Sequence, residues 1–193
     1  MRKRFGTPRP AVGVSRSEGA TPYEFELRFK LPADTDANEV VERLGEAGCD
    51  DALVGIGQPG RIALKFTREA QTAMRAIVSV LEDVKKAVPG AKLIEAGPDF
   101  VGLTDVADML GMSRQNMRKL MLAHAATFPA PVHEGSAAIW HLEPVLHWFR
   151  SKGGYKVSQE QIDAAHIAMQ INLVKAADRL ELPIQREVQT LVA

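Results

Sequence analysis

The chain predicts an α+β fold in successive parts. A β-α-β-β-α-β sandwich spans residues 23–97, two short helices with a hairpin follow over 98–157, and a helical segment closes the chain at 158–193. Three observations carry this reading. Residues 23–31 alternate apolar and charged side chains, as a half-buried strand does. Residues 70–88 repeat apolar residues at alternating four- and three-residue steps, the period of an amphipathic helix. Residues 103–122 hold two short helical patterns that meet at Gly111.

The first strand places Tyr23, Phe25, Leu27, Phe29 and Leu31 on one face, and Pro32 ends it. Asp36 is a candidate N-cap for a helix carrying Val40, Val41, Leu44 and Ala47, closed by Gly48. Asp51 to Ile56 and Arg61 to Thr67 read as two strands turning at Gln58-Pro59-Gly60. Ala70, Met74, Ile77, Leu81, Val84 and Val88 mark the second helix, stopped by Pro89-Gly90, and Ala91 to Ala96 the last strand. That order is the split βαβ arrangement of a ferredoxin-like sandwich.

Two features here invite a chemical reading. Gly55-Ile-Gly-Gln-Pro-Gly60 matches the dinucleotide fingerprint Gly-x-Gly-x-x-Gly, but the fingerprint needs its last glycine to open a helix. A strand follows and Pro59 sits inside, so a hairpin turn is expected. Cys49-Asp50-Asp51 sets a thiol beside acids with no histidine nearby, which points to a solvated loop rather than an activated nucleophile.

The second part is the more informative. Thr104 is a candidate N-cap, Val106, Ala107 and Leu110 form an apolar face, and Gly111 suits a helix end that needs positive φ. Ser113 is a second N-cap. At about 100° per residue, Met117, Leu120 and Met121 gather on one side of the second helix. Arg114, Gln115, Arg118 and Lys119 point away from that side, and Asn116 lies on the border. This is the pattern of a helix-turn-helix whose second helix offers Arg, Gln and Lys to base edges and phosphates. An αα-hairpin with a solvated basic face has the same periodicity. Phe128-Pro-Ala-Pro-Val132 cannot be helical, and 132–140 reads as a small wing turning at Glu134-Gly135-Ser136. His133 and Ser136 at its tip are candidates for the sugar-phosphate backbone. Leu142 to Lys152 forms a further helix, with Trp140 and Trp148 expected as core anchors rather than stacking platforms.

Charge supports a localised anionic partner. The chain is neutral, but residues 1–20 carry five Lys/Arg against one acid, and residues 101–157 six against four. Residues 21–100 carry ten against fourteen, and residues 158–193 three against five. Residues 1–22, rich in Arg, Pro and Gly, read as a disordered basic arm, either inert or lying along phosphates. The five His show no metal-binding pair, there is one Cys, and no phosphate loop or nucleophile elbow is present. The expectation is a binding protein, not an enzyme, without metal or cofactor. No secretory signal or membrane span is expected, and the cytoplasm is the simplest setting for the single thiol.

Residues 103–150 resemble the DNA-binding domain of the excisionase and AlpA-like branch of the MerR superfamily. The matches are Leu103-Thr104, Val106-Ala107, Leu110-Gly111-Met112-Ser113-Arg114-Gln115, Phe128-Pro129-Ala130-Pro131 and Ile139-Trp140, with Val145-Leu-His-Trp-Phe149 standing where the family has its helix after the wing. The resemblance implies a winged helix-turn-helix on duplex DNA, with Ser113, Arg114, Gln115, Arg118 and Lys119 as helix contacts. It covers about a quarter of the chain, and excisionases usually lack an added N-terminal domain. The implied role is therefore a transcriptional regulator with a sensory or assembly domain. The alternative is a protein-interaction or assembly module, such as a mobile-element accessory factor.

Ser158 caps a last helix with Ile162, His166, Met169, Leu173, Ala176 and Leu180 at four- and three-residue steps. Helices in this position often pair two subunits in the superfamily, so a homodimer is expected. The same pattern equally fits packing on its own chain. His166 reads as a satisfied buried imidazole, and Ile184, Val188 and Leu191 suggest a short further helix.

Overall fold

The computed structural model describes residues 2–3, 19–33 and 35–192. The protein is a mixed α+β fold whose described strands pair antiparallel. The first part comprises β1 (Arg2–Lys3), β2 (Thr21–Lys30), α1 (Ala37–Glu46), β3 (Ala52–Gly55), β4 (Arg61–Ala70), α2 (Ala73–Ala87) and β5 (Lys92–Gly97). Its sheet runs β1-β3-β4-β2-β5, with β2 and β4 paired over ten residues at the centre. Alternation on β2 buries Tyr23, Phe25, Leu27 and Phe29 against the helices and leaves Glu24, Arg28 and Lys30 exposed. The turn between β3 and β4 is the hairpin expected, closed by Arg61 N–H donating to Gln58 O, with Gly60 at φ +72°.

Several boundaries differ from the sequence reading. β2 opens at Thr21, inside the segment assigned to the basic arm, and Arg2–Lys3 pair with the β3 edge. The remainder of that arm, residues 1 and 4–18, lies outside the described residues. Ala70 ends β4 rather than starting α2, because Thr72 caps the helix by accepting from Arg75 N–H. This rotates the helix face: Ala73, Ala76, Ile77, Val80, Val84 and Ala87 are buried, while Met74 is 59% exposed. Cys49 is not in a solvated loop. It is fully buried beside Arg68, whose guanidinium grips Asp51 through both oxygens (2.8 and 2.9 Å), Asp83 (3.1 Å), Ser79 (3.0 Å) and Gly48 O (2.7 Å). One side chain thus ties the end of α1 to β4 and α2.

The second part comprises β6 (Phe100–Val101), α3 (Leu103–Met109), α4 (Arg114–Ala123), β7 (Trp140–His141) and α5 (Leu142–Lys152). It has its own core of Val101, Val106, Ala107, Met117, Phe128, Trp140, Val145, Trp148 and Phe149 among others. Both tryptophans are buried, as expected of core anchors.

Helix α6 (Gln159–Ala177) spans about 28 Å and joins the two cores. Ile162 and Ala165 pack in the second core, and Ala168, with Ile167 and Ile171, packs in the first. The stripe read from the sequence is therefore out of phase. The buried face runs through Ile162, Ala165, Ala168 and Asn172, and Leu173 and His166 are exposed. The sequence misleads because the helix is apolar nearly all round, and its small alanines let it lie close to its own chain. His166 sits beside Glu143 at 3.3 Å instead of being buried.

At the junction, Asn172 completes the edge of β5. Its Oδ1 accepts from Ala96 N–H (2.9 Å) and its Nδ2 donates to Ala96 O and Asp99 Oδ2 (2.7 Å each). The other Asp99 oxygen lies 2.6 Å from His141 Nδ1, and Leu142 N–H donates to Asp99 O (2.7 Å). Lys175 Nζ donates to Ile94 O on the same strand edge. Helix α7 (Leu182–Gln189) has no buried residue, and Leu180, Leu182, Ile184, Leu191 and Val192 are exposed around it.

The Asn172→Ala protein should lose about 3 kcal/mol, since the N–H and C=O of Ala96 and one oxygen of the buried Asp99 carboxylate each lose a partner. Urea unfolding followed by far-UV circular dichroism measures it. A loss under about 0.5 kcal/mol would contradict this role for the side chain.

Candidate nucleic-acid interface

The two helices α3 and α4 are joined through a tight turn. Met112 N–H donates to Ala107 O (2.9 Å) and Gly111 N–H to Asp108 O (3.2 Å), with Gly111 at φ +67°, where a side chain would be strained. Val106 and Ala107 of α3 and Met117 of α4 are buried between the helices and α5, and Leu120 and Met121 are half-buried. This is the core side inferred from the spacing.

Thr104 does not cap α3. Gly102 is the N-cap, and Asp105 Oδ2 accepts its backbone N–H at 2.7 Å. A carboxylate in the first turn reaches that N–H and suits the positive end of the helix, so Thr104 is left exposed within the turn. Ser113 does cap α4, its Oγ accepting from Asn116 N–H at 3.2 Å. Arg114, Gln115, Asn116, Arg118 and Lys119 are all exposed. Among the described residues no carboxylate lies within 4 Å of the charged groups of Arg114, Arg118 or Lys119. The face is thus cationic, unneutralised and held at the rim of a packed core. The sequence reading left out one member of it: Leu122 is 59% exposed among these polar residues.

An aromatic cluster sets the path of the chain after α4. Phe128 meets Trp140, Trp148 and Phe149 edge-on, with ring centres 6.1, 5.1 and 6.5 Å away. Trp140 Nε1 donates to Pro129 O (3.0 Å), and Trp148 Nε1 to Thr127 Oγ1 (3.3 Å). From this base the chain makes a loop closed by a single bridge between His133 and Ile139, then enters β7, which pairs with β6. His133 and Ser136 are exposed on that loop, and a Cβ on Gly135 would lie 2.8 Å from His133 Nε2, so the glycine leaves room for the ring. The nine candidates therefore fall on three exposed stretches: Thr104 on α3, five neighbours with the Ser113 cap on α4, and two on the loop.

A cleft of about 600 Å³ lies between the open face of the sheet and α3, with Glu24, Glu26, Arg28, Glu95, Phe100 and Asp105 in its walls. Its charges are largely committed: Arg28 holds Glu26 (2.7 Å) and Glu95 (3.5 Å), and Asp105 holds Gly102. Nucleophilic chemistry at Cys49 is disfavoured, because burial pushes its thiol up to about 11 and keeps it protonated at neutral pH. Among the described residues no helix is long and apolar enough to cross a membrane. No family model, curated protein or solved structure matches the chain.

The raised thiol has a consequence for stability. Between pH 9 and about 11 the unfolded chain releases the Cys49 proton while the folded protein keeps it, so stability falls as pH rises through that window. Unfolding titrations of the native and Cys49→Ala proteins from pH 8 to 11 should show a shallower decline for the variant. Equal slopes would contradict the assignment.

Proposed function

We propose that the protein is a double-stranded DNA-binding regulator that reads the major groove with α4 and the backbone with loop 132–139. In this reading residues 98–157 are a winged helix-turn-helix. The single observation that carries it is the exposed face of α4, where Arg114, Gln115, Arg118 and Lys119 project without anionic partners from a helix fixed by Met117. Arg and Lys supply phosphate neutralisation, and Gln offers an acceptor and a donor that pair with the N6 amine and N7 of adenine in the groove. Ser113, Asn116 and Thr104 would contact phosphates or sugars, as would His133 and Ser136.

The first part is read as a ferredoxin-like sandwich. The support is its order, with the first and third strands of the β-α-β-β-α-β series central and the second and fourth outside. It would act as an assembly or sensory domain, without catalytic role, cofactor or metal, in a cytoplasmic protein. A homodimer fits the apolar surface left between Leu173 and Val192. The eight aliphatic side chains exposed there expose on the order of 800 Å² together, the area one partner of a stable interface buries.

The test is selection from a randomised duplex pool, followed by a salt titration on the enriched site. An enriched inverted repeat supports both the regulator and the dimer, and a single half-site contradicts the dimer. Charge reversal at Arg114 and Arg118 together should abolish enrichment and cut the slope of log K against log salt by about two. Unchanged binding in that variant would favour the assembly-module alternative.

A further inference from the structure

This inference rests on the duplex-DNA reading of α4. The core-facing residues Met117, Leu120 and Met121 lie together on one side of the helical wheel, and the opposite direction points straight out. Gln115 and Lys119 lie within about 30° of that outward direction and Leu122 within about 40°. Leu122 takes no part in the second core, and it is 59% exposed on a face otherwise made of Arg, Gln and Lys. A solvated helix face gives an aliphatic residue there helix propensity but no packing partner. A face pressed into a major groove gives it one, because the floor of the groove presents one apolar group, the 5-methyl of thymine.

We propose that Leu122 is a specificity-determining residue that packs on a thymine methyl a few base steps from the base read by Gln115. Cytosine in the same place carries only a hydrogen at C5, so the isobutyl group would lose its apolar contact. Seven residues separate Leu122 from Gln115, about 10.5 Å of helix or roughly three base steps of about 3.4 Å. The thymine therefore lies within about three base pairs of the position that Gln115 reads.

The experiment uses the whole chain and its Leu122→Ser variant on a randomised duplex pool prepared twice, with thymine and with uracil, which lacks the methyl. Because Leu122 is outside the core, the variant should keep the wild-type circular dichroism spectrum. From the thymine pool the wild type should enrich a site with a thymine column, and from the uracil pool the same site without preference at that column. Direct titration should show a loss of roughly three- to fivefold on removing that one methyl, the scale of one buried carbon. Leu122→Ser should lose the same column from the thymine pool and show no response to the methyl. A column that survives either change overturns the role of Leu122 and leaves the DNA reading standing. No enrichment of any site by the wild type sinks that reading and this inference with it.

Discussion

Asn172 is the point on which the arrangement of the two parts depends. Its side-chain amide stands where the next strand's backbone would, pairing both ways with Ala96 on the outer edge of β5, and its second N–H reaches Asp99 in the linker. Asp99 in turn engages His141 and Leu142, at the start of α5. Sheet edge, linker and second core are therefore joined by hydrogen bonds radiating from one buried amide. An uncovered β5 edge would also be open to pairing with other chains, and α6 covers it.

The same helix explains how a small unit of α3, α4 and α5 holds its shape. Its core combines four buried aromatic rings meeting edge to face with aliphatic side chains, and Ile162 and Ala165 of α6 are embedded in it. With α5 and α6 fixed, α4 buries only Met117 fully and is free to turn its other faces outward. Rigidity on one side and an unneutralised cationic surface on the other is what a groove-reading helix requires, since contacts formed by a preorganised helix lose less conformational entropy.

Much of this was legible in the sequence where local rules act alone. The alternation on β2, the Pro59-Gly60 turn, the Gly111 bend and the placing of Met117 inward follow from period and backbone chemistry, and the structure has them. The misses share one cause, tertiary context overriding a local pattern. Thr104 yielded to Gly102 because Asp105 supplies the cap, and Met74 turned outward when Thr72 reset the start of α2. The stripe on α6 was ambiguous because alanines and larger apolar residues surround the helix. Only contact with β5 and the second core decides which face is buried. Asn172 and Asp99 carried no sequence signal, since a lone polar residue in an apolar helix becomes meaningful only when its partners are known. Of the candidate interface, the α4 cluster was readable from spacing, whereas the anomaly at Leu122 emerges once the outward direction is fixed by burial.

The central claim is that α4 and the loop after it form the surface that meets duplex DNA. Hydrogen–deuterium exchange of the full chain, with and without an excess of mixed-sequence duplex at low salt, tests it most directly. Slowed exchange is expected in residues 113–123 and 132–139, with the central strands β2 and β4 unchanged. Protection confined to the sheet, or no change anywhere in the second part, would contradict it.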